Sequence, residues 1–239
     1  MMKEMLSYFK DLDKKSTIIL VASTFLMVIY MYQGNHSFFV KHLSHLVSDK
    51  QYLQWSSYGY QFLMANVLFV LVPIVIIKFV FKENLVDYGL GLGDWRFGLK
   101  AFAIAFPITF PFLYLGAMDK EIQATYPLAK IAGQDVNTFL LWTLTYFTFY
   151  VAWEFMFRGF MQFGLRERFG AFGAIMFQVM ASTLLHYDKP FSETFGAIIA
   201  GVIWGAVALR SRSIWYVLLF HWLFGLCNDV FSVWFRAGG

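Results

Sequence analysis

The chain has 239 residues, 59% hydrophobic and 21% aromatic, with only 14% charged residues and a formal net charge of +4. Soluble domains carry about 45–50% apolar and about 25% charged residues, so a water-facing surface cannot absorb this excess and a lipid bilayer is the expected solvent. The single cysteine excludes an intramolecular disulfide framework and a cysteine-based zinc site, and no clustered basic face accompanies the positive charge, so no nucleic-acid partner is expected.

Seven apolar runs follow in chain order, at about 16–32, 60–81, 97–117, 138–165, 171–187, 191–210 and 213–234, each near the ~20 residues that cross a bilayer as a helix. The fold class they predict is all-α, a polytopic membrane bundle of about seven transmembrane helices. No linker or low-complexity tract divides it, so residues 1–239 read as one membrane domain. Within it, 1–137 hold the N-terminal spans and interfacial loops, and 138–234 hold the polar core described below. The first run follows Lys3, Lys10, Lys14 and Lys15 and ends in "VIYMYQG" with no small-residue cleavage site, which predicts a retained span. With the N-terminus inside, twelve Lys and Arg fall in inner segments and six in outer ones, with Arg158 left within a span. The positive-inside rule then predicts a multi-pass protein of the cell membrane, bacterial by expectation, with a cytoplasmic N-terminus.

Two connections have features of their own. In "NHSFFVKHLSHLVSDKQYLQW" the residues Phe39, Leu43, Leu46 and Val47 have a helical spacing that suits an interfacial amphipathic helix. His42 and His45 fall on it, where a wet-interface role outweighs metal binding. The segment "YGLGLGDWRFGLK" contains a G-x-G-x-G run but lacks the preceding strand and full spacing of a dinucleotide loop, so it reads as a surface bend anchored by Trp95.

Few ionisable side chains lie in or at the ends of the last four runs: Glu154, Arg158, His186, Glu193, His221 and Asp229, with Asn228 adding an amide. At a rise of about 1.5 Å per residue, Arg158 and His221 fall roughly 12 Å from the inner ends and Glu154 about 18 Å. His186 and Asn228 fall at about 22 Å, with Asp229 and Glu193 at about 24–25 Å. Four helices thus put polar groups in one middle-to-outer layer, although a charge there costs roughly 2.5–3.5 kcal/mol even on the mild insertion scale. Glu154 and Arg158 are i, i+4 with the acid N-terminal, the better order for an ion pair. On the last helix Asn228 lies about 20° from the face of His221 and Asp229 about 80° off, whereas Cys227 is about 120° away, which argues against a Cys–His nucleophile.

Each residue also has a structural reading. Glu154–Arg158 reads as a structural ion pair that locks two helices, His186 as a solvated helix end and His221 as a carbonyl-bonded core imidazole. Glu193–Lys189 reads as a surface pair, and Asn228 as an interhelical hydrogen bond. Taken together they favour water activation: a carboxylate as general base, with imidazoles polarising a carbonyl and stabilising the oxyanion. Glu154, His186 and His221 are also a donor set for zinc with an open fourth position, although the HExxH spacing is absent, and metal dependence is left open. A non-catalytic membrane-binding or immunity protein is the alternative. A proton-coupled transporter ranks lower, because no inverted repeat is evident.

The same residues resemble the CAAX protease and bacteriocin-processing family of intramembrane endopeptidases, over about residues 138–234. "WEFMFRGF" is similar to the family's Glu motif followed by Arg-Gly, through Glu154, Arg158 and Gly159. "STLLHYDKP" carries the first motif histidine, His186, and "GAIIAGVIWGAVALRSRSIWYVLLFHWLFGLCND" carries the second, His221. Three positions depart from the pattern: Trp153 stands where the first Glu of a pair is usual, Ser182 stands for an aromatic, and Gly225 stands for an Asn. The resemblance implies a glutamate-dependent peptide-bond hydrolase acting on a membrane-associated protein or peptide. Glu154 activates water, His186 and His221 assist, and Asn228 or Asp229 substitutes for the missing amide. Arg158 and, with the downstream Lys-Pro…Glu, Glu193 take supporting roles.

Overall fold

The computed structural model describes residues 13–238, so Lys3 and Lys10 lie outside the described residues. Nine helices are labelled here in chain order, and no strand occurs among the described residues. Helix α1 (Lys14–Gln33) starts where the Asp13 carboxylate accepts the Ser16 N–H at 2.8 Å, which satisfies one of the donors that a helix start leaves free. The short α2 (His36–His42) is capped the same way by Asn35. It stops at His42, where Leu43 leaves helical geometry, and a separate turn covers Ser44–Leu46. The longer amphipathic helix expected here is therefore cut short: of its four apolar residues only Phe39 is buried.

Helix α3 (Lys50–Phe81) begins ten residues before the apolar run that predicted it, because Asp49 caps a polar first turn that hydropathy does not see. It widens into π-helical turns at Val67–Leu71 and Ile76–Phe81, on either side of Pro73, whose missing N–H breaks the regular hydrogen-bond ladder. The glycine-rich segment then bends through Gly89 and Gly93, both at positive φ. Asp94 caps α4 (Trp95–Gly116) through the Phe97 N–H and accepts Arg210 Nη1 at 2.9 Å. The Phe97 N–H first, and Arg210 after it, hold that carboxyl below the ordinary range. Along α4 the exposed residues Ile104, Ile108, Phe112 and Leu115 recur at helical spacing and form a lipid-facing stripe.

A connection holding α5 (Lys120–Thr125) and a turn at Lys130–Gly133 leads to α6 (Val136–Glu154), capped by Asp135. A nine-residue π-helical segment, Phe155–Phe163, continues α6 without a break. The path runs into α7 (Gly164–Leu184) until Gly170, whose φ of 69° only glycine adopts without strain, turns the chain. Helices α8 (Phe191–Ser211) and α9 (Trp215–Arg236) complete the bundle.

All seven apolar runs fall on long helices, and five helices (α1, α3, α4, α8 and α9) are long and apolar enough to cross a membrane. The segment 152–162 differs in kind, being buried at every position. A helix enclosed on all faces belongs to the interior. Ile19, Leu26 and Tyr30 of α1, with Ala65, Leu68 and Phe69 of α3 and Ala174 of α7, pack around Phe155, Met156, Phe157 and Phe160. In lipid such contacts rest on close packing and interhelical hydrogen bonds more than on water exclusion. Two glutamines supply those bonds: Gln162 Nε2 donates to the Gly205 carbonyl at 3.0 Å, and Gln178 Nε2 to the Gly201 carbonyl at 2.9 Å. Glu154 and Arg158 thus lie inside protein, not against acyl chains.

Candidate active site

Glu154 closes the last regular turn of α6, and its side chain is fully buried. Its Oε1 accepts Arg158 Nη1 at 3.0 Å, one turn on along the π-helical segment. The same oxygen accepts the Nδ1–H of His221 from α9 at 2.7 Å. The other oxygen, Oε2, is buried and has no hydrogen-bond partner among the described residues, as is also true of Arg158 Nε. An unpaired lone pair on a buried carboxylate costs free energy, so Oε2 is primed to accept a proton donor. His221 is the open side of this centre, with about a third of its side chain exposed. Because Nδ1 is spent on Glu154, its Nε2 is the nitrogen free for another partner.

His186 lies in the turn after α7 and belongs to a different contact. Its Nδ1 sits 2.7 Å from the Ser182 carbonyl, an acceptor, so Nδ1 carries the proton and Nε2 is left free. Its ring stands edge-on to Trp153 at 5.1 Å, and no hydrogen bond joins it to Glu154. Adjacent helical positions point about 100° apart. Trp153 therefore serves one imidazole and Glu154 the other. Ser182, at the position of the family's aromatic, gives the carbonyl that orients His186, and Thr194 of α8 fastens the turn by donating to the His186 carbonyl at 2.8 Å.

The remaining polar residues gather in a separate outer centre. Asp229, almost fully buried, accepts Trp142 Nε1 at 3.0 Å through Oδ2, and its Oδ1 has no partner among the described residues. Glu193 accepts the Tyr126 hydroxyl at 2.7 and 2.9 Å. The Glu193–Lys189 pair read from spacing does not form; Lys189 lies over the Tyr126 ring instead, 5.1 Å from its centroid. Asn228 is half-buried. The single polar layer inferred from depth is thus two centres. One is Glu154–Arg158–His221, with His186 beside it across Trp153. The other is Asp229–Trp142 with Glu193–Tyr126.

Between them lies an aromatic cluster of Phe62, Tyr126, Trp142, Tyr146 and Tyr150. Trp142, Tyr126 and Tyr150 carry no mark in residue type that separates a site residue from packing, because aromatics make up 21% of the chain. Position is the signal for Tyr150, since it stands one turn before Glu154 on the same face. Its ring meets that of His221 edge-on at 4.8 Å. A Cβ at Gly225 would overlap the Tyr150 hydroxyl and lie 2.8 Å from its Cζ, so glycine at that position is what lets α9 close on α6.

As to metals, no group of three or more His, Cys, Asp or Glu side chains among the described residues is arranged to hold an ion. Glu154 and His221 are committed to one another, His186 stands apart, and His42 and His45 gather no third ligand.

A family model described as Rce1-like, type II CAAX prenyl endopeptidase Rce1-like, matches residues 135–227. This stretch runs from the cap of α6 into α9 and contains Glu154, Arg158, His186, Glu193 and His221. The match agrees with the motif resemblance, and the long apolar helices agree with a multi-pass membrane protein. No curated protein and no solved structure matches the chain.

Proposed function

We propose that this chain hydrolyses a peptide bond in a membrane-associated protein or peptide, with Glu154 as the general base. The observation that carries the reading is the free Oε2 of a fully buried carboxylate whose other oxygen is held by Arg158 and His221. A water hydrogen-bonded to Oε2 gives its proton to Glu154 as its oxygen attacks the scissile carbonyl carbon. The carbonyl π pair moves to oxygen, and the resulting anion is held by donors. On collapse the C–N bond breaks, the amide nitrogen leaves with that electron pair, and the proton returns from Glu154 to the amine. Arg158 offsets the charge of Glu154 and fixes its rotamer. His221 and His186, each with Nδ1 engaged, offer Nε2 to the reacting groups. Asp229 positions α9 against α6 through Trp142, Glu193 fastens the Tyr126 connection, and Asn228 is left for contacts with the substrate backbone.

The donor arrangement favours a metal-free reaction, so chelation of the purified protein should leave its activity intact. The description of the matched family makes a prenylated C-terminal peptide the first substrate to try. Leader peptides and membrane-anchored sorting tails complete the panel. The Lys and Arg bias supports a cell-membrane location with a cytoplasmic N-terminus, which reporter fusions at the loop positions would test. The central experiment reconstitutes wild type and Glu154→Gln in liposomes with that panel. Wild type is expected to cleave at least one peptide, and a Glu154→Gln rate within about tenfold of wild type would sink the mechanism.

A further inference from the structure

We propose that the Tyr150 hydroxyl is a catalytic donor, the group that hydrogen-bonds the oxyanion formed at the scissile carbonyl. This rests on the proposed function and adds a residue to it. Tyr150 is 4% exposed, and its hydroxyl oxygen is paired with the Tyr146 hydroxyl as donor, the two rings 4.7 Å apart, which leaves the Tyr150 proton free to be donated elsewhere. A substrate carbonyl would give that proton an acceptor, and the bond strengthens as negative charge develops on the oxygen.

The location suits the task. Tyr150 precedes Glu154 by one helical turn, and its ring packs edge-on against the imidazole that holds Glu154, at 4.8 Å. Its hydroxyl reaches across to α9 at Gly225, one turn beyond His221, into space that any side chain on residue 225 would fill. The base, the imidazole and the phenol are therefore consecutive along one α6–α9 seam. Asn228 is a further turn along, about 10 Å from His221 by helical rise. In the hydrolysis step the phenol keeps its proton. It donates a hydrogen bond to the carbonyl oxygen as negative charge develops there and releases it when the carbonyl re-forms. The missing Asn at position 225 thus has a counterpart arriving from the facing helix.

Tyr150→Phe removes only the hydroxyl. In liposomes, with the panel peptide that wild type cleaves fastest, kcat should fall by about 10²–10³ with KM changed less than about threefold, the size expected for loss of one oxyanion donor. The melting temperature should shift by only a few degrees, because the deleted hydroxyl gives up at most one neutral hydrogen bond. If Tyr150→Phe keeps more than about a third of wild-type kcat while Glu154→Gln is inactive, this inference falls and the proposed function stands. If Glu154→Gln cleaves within about tenfold of wild type, both fall. Should Tyr150→Phe not fold, 4-fluorophenylalanine incorporated at position 150 fills the space of the hydroxyl without donating. Its kcat should fall by the same about 10²–10³, and retention of more than about a third of wild-type kcat overturns the inference.

Discussion

Two buried carboxylates face each other's helices across the α6–α9 seam, and their partners differ. Glu154, on α6, has a guanidinium and an imidazole on one oxygen, whereas Asp229, on α9, has a single indole N–H. Each keeps its second oxygen unpaired. Burial and an orphan lone pair are thus common to both and cannot mark the reactive one. The distinction lies in the company. A cation offsets charge in a low-dielectric interior, and an imidazole can pass protons, while an indole only donates. Glu154 is equipped to change protonation state during a reaction, and Asp229 is equipped to stay put and hold two helices together.

The most direct attempt to break this contrast exchanges each acid for its amide. Glu154→Gln should lower kcat by about 10²–10⁴, the range for loss of a general base, whereas Asp229→Asn should stay within about fivefold of wild type. Equal losses, measured in liposomes under single-turnover conditions, would mean that the two centres share the chemistry. The stability counterpart is Arg158→Met, which strands Glu154 without a cation and should cost about 3–5 kcal/mol in detergent unfolding. Adding Glu154→Gln to Arg158→Met should recover part of that loss. A double variant no more stable than Arg158→Met alone would show that packing, not charge pairing, governs the site. A smaller effect is expected at the outer centre. Trp142→Phe leaves the Asp229 carboxylate without its donor and should destabilise by about 1.5–3 kcal/mol with little change in kcat.

How much of this was readable beforehand follows from the range of each interaction. Glu154–Arg158 is local, and i, i+4 spacing with the acid first identified it. The seven apolar runs mark long helices because hydropathy is a property of the segment itself. The start of α3 at Lys50 was missed because its first turn is polar and held by a cap. Trp142–Asp229 joins residues 87 apart and has no local trace. Lys189–Glu193 shows local spacing overruled: the pair is within reach on one helix, but Tyr126, 67 residues upstream in sequence, takes the carboxylate first. The assumption of one shared polar layer came from depth alone. Depth along a helix axis says nothing of azimuth, and azimuth separates Trp153 from Glu154 and hence His186 from His221.

At the outer centre a cation and an acid lie near one another without joining, and pH acts on them differently from the inner pair. Lys130, in the turn before α6, has a buried ammonium with no hydrogen-bond partner among the described residues. Burial pushes it down from 10.5 to about 8, with Arg236 and Lys189 adding to the fall and Asp229 opposing it. Between pH 8 and 10.5 the unfolded chain therefore holds a proton that the folded chain has released. Stability should rise with pH across that window, while below it the penalty for burying the charge is fully present. Lys130→Gln should accordingly be more stable than wild type near neutral pH, with the gap closing by pH 10.5. Thermal unfolding of both proteins at matched pH values measures the difference directly and cancels other titrating groups. A gap that does not change with pH would mean that Asp229 pairs with Lys130 through bridging water, and the outer centre would then resemble the inner one in carrying a charge pair of its own.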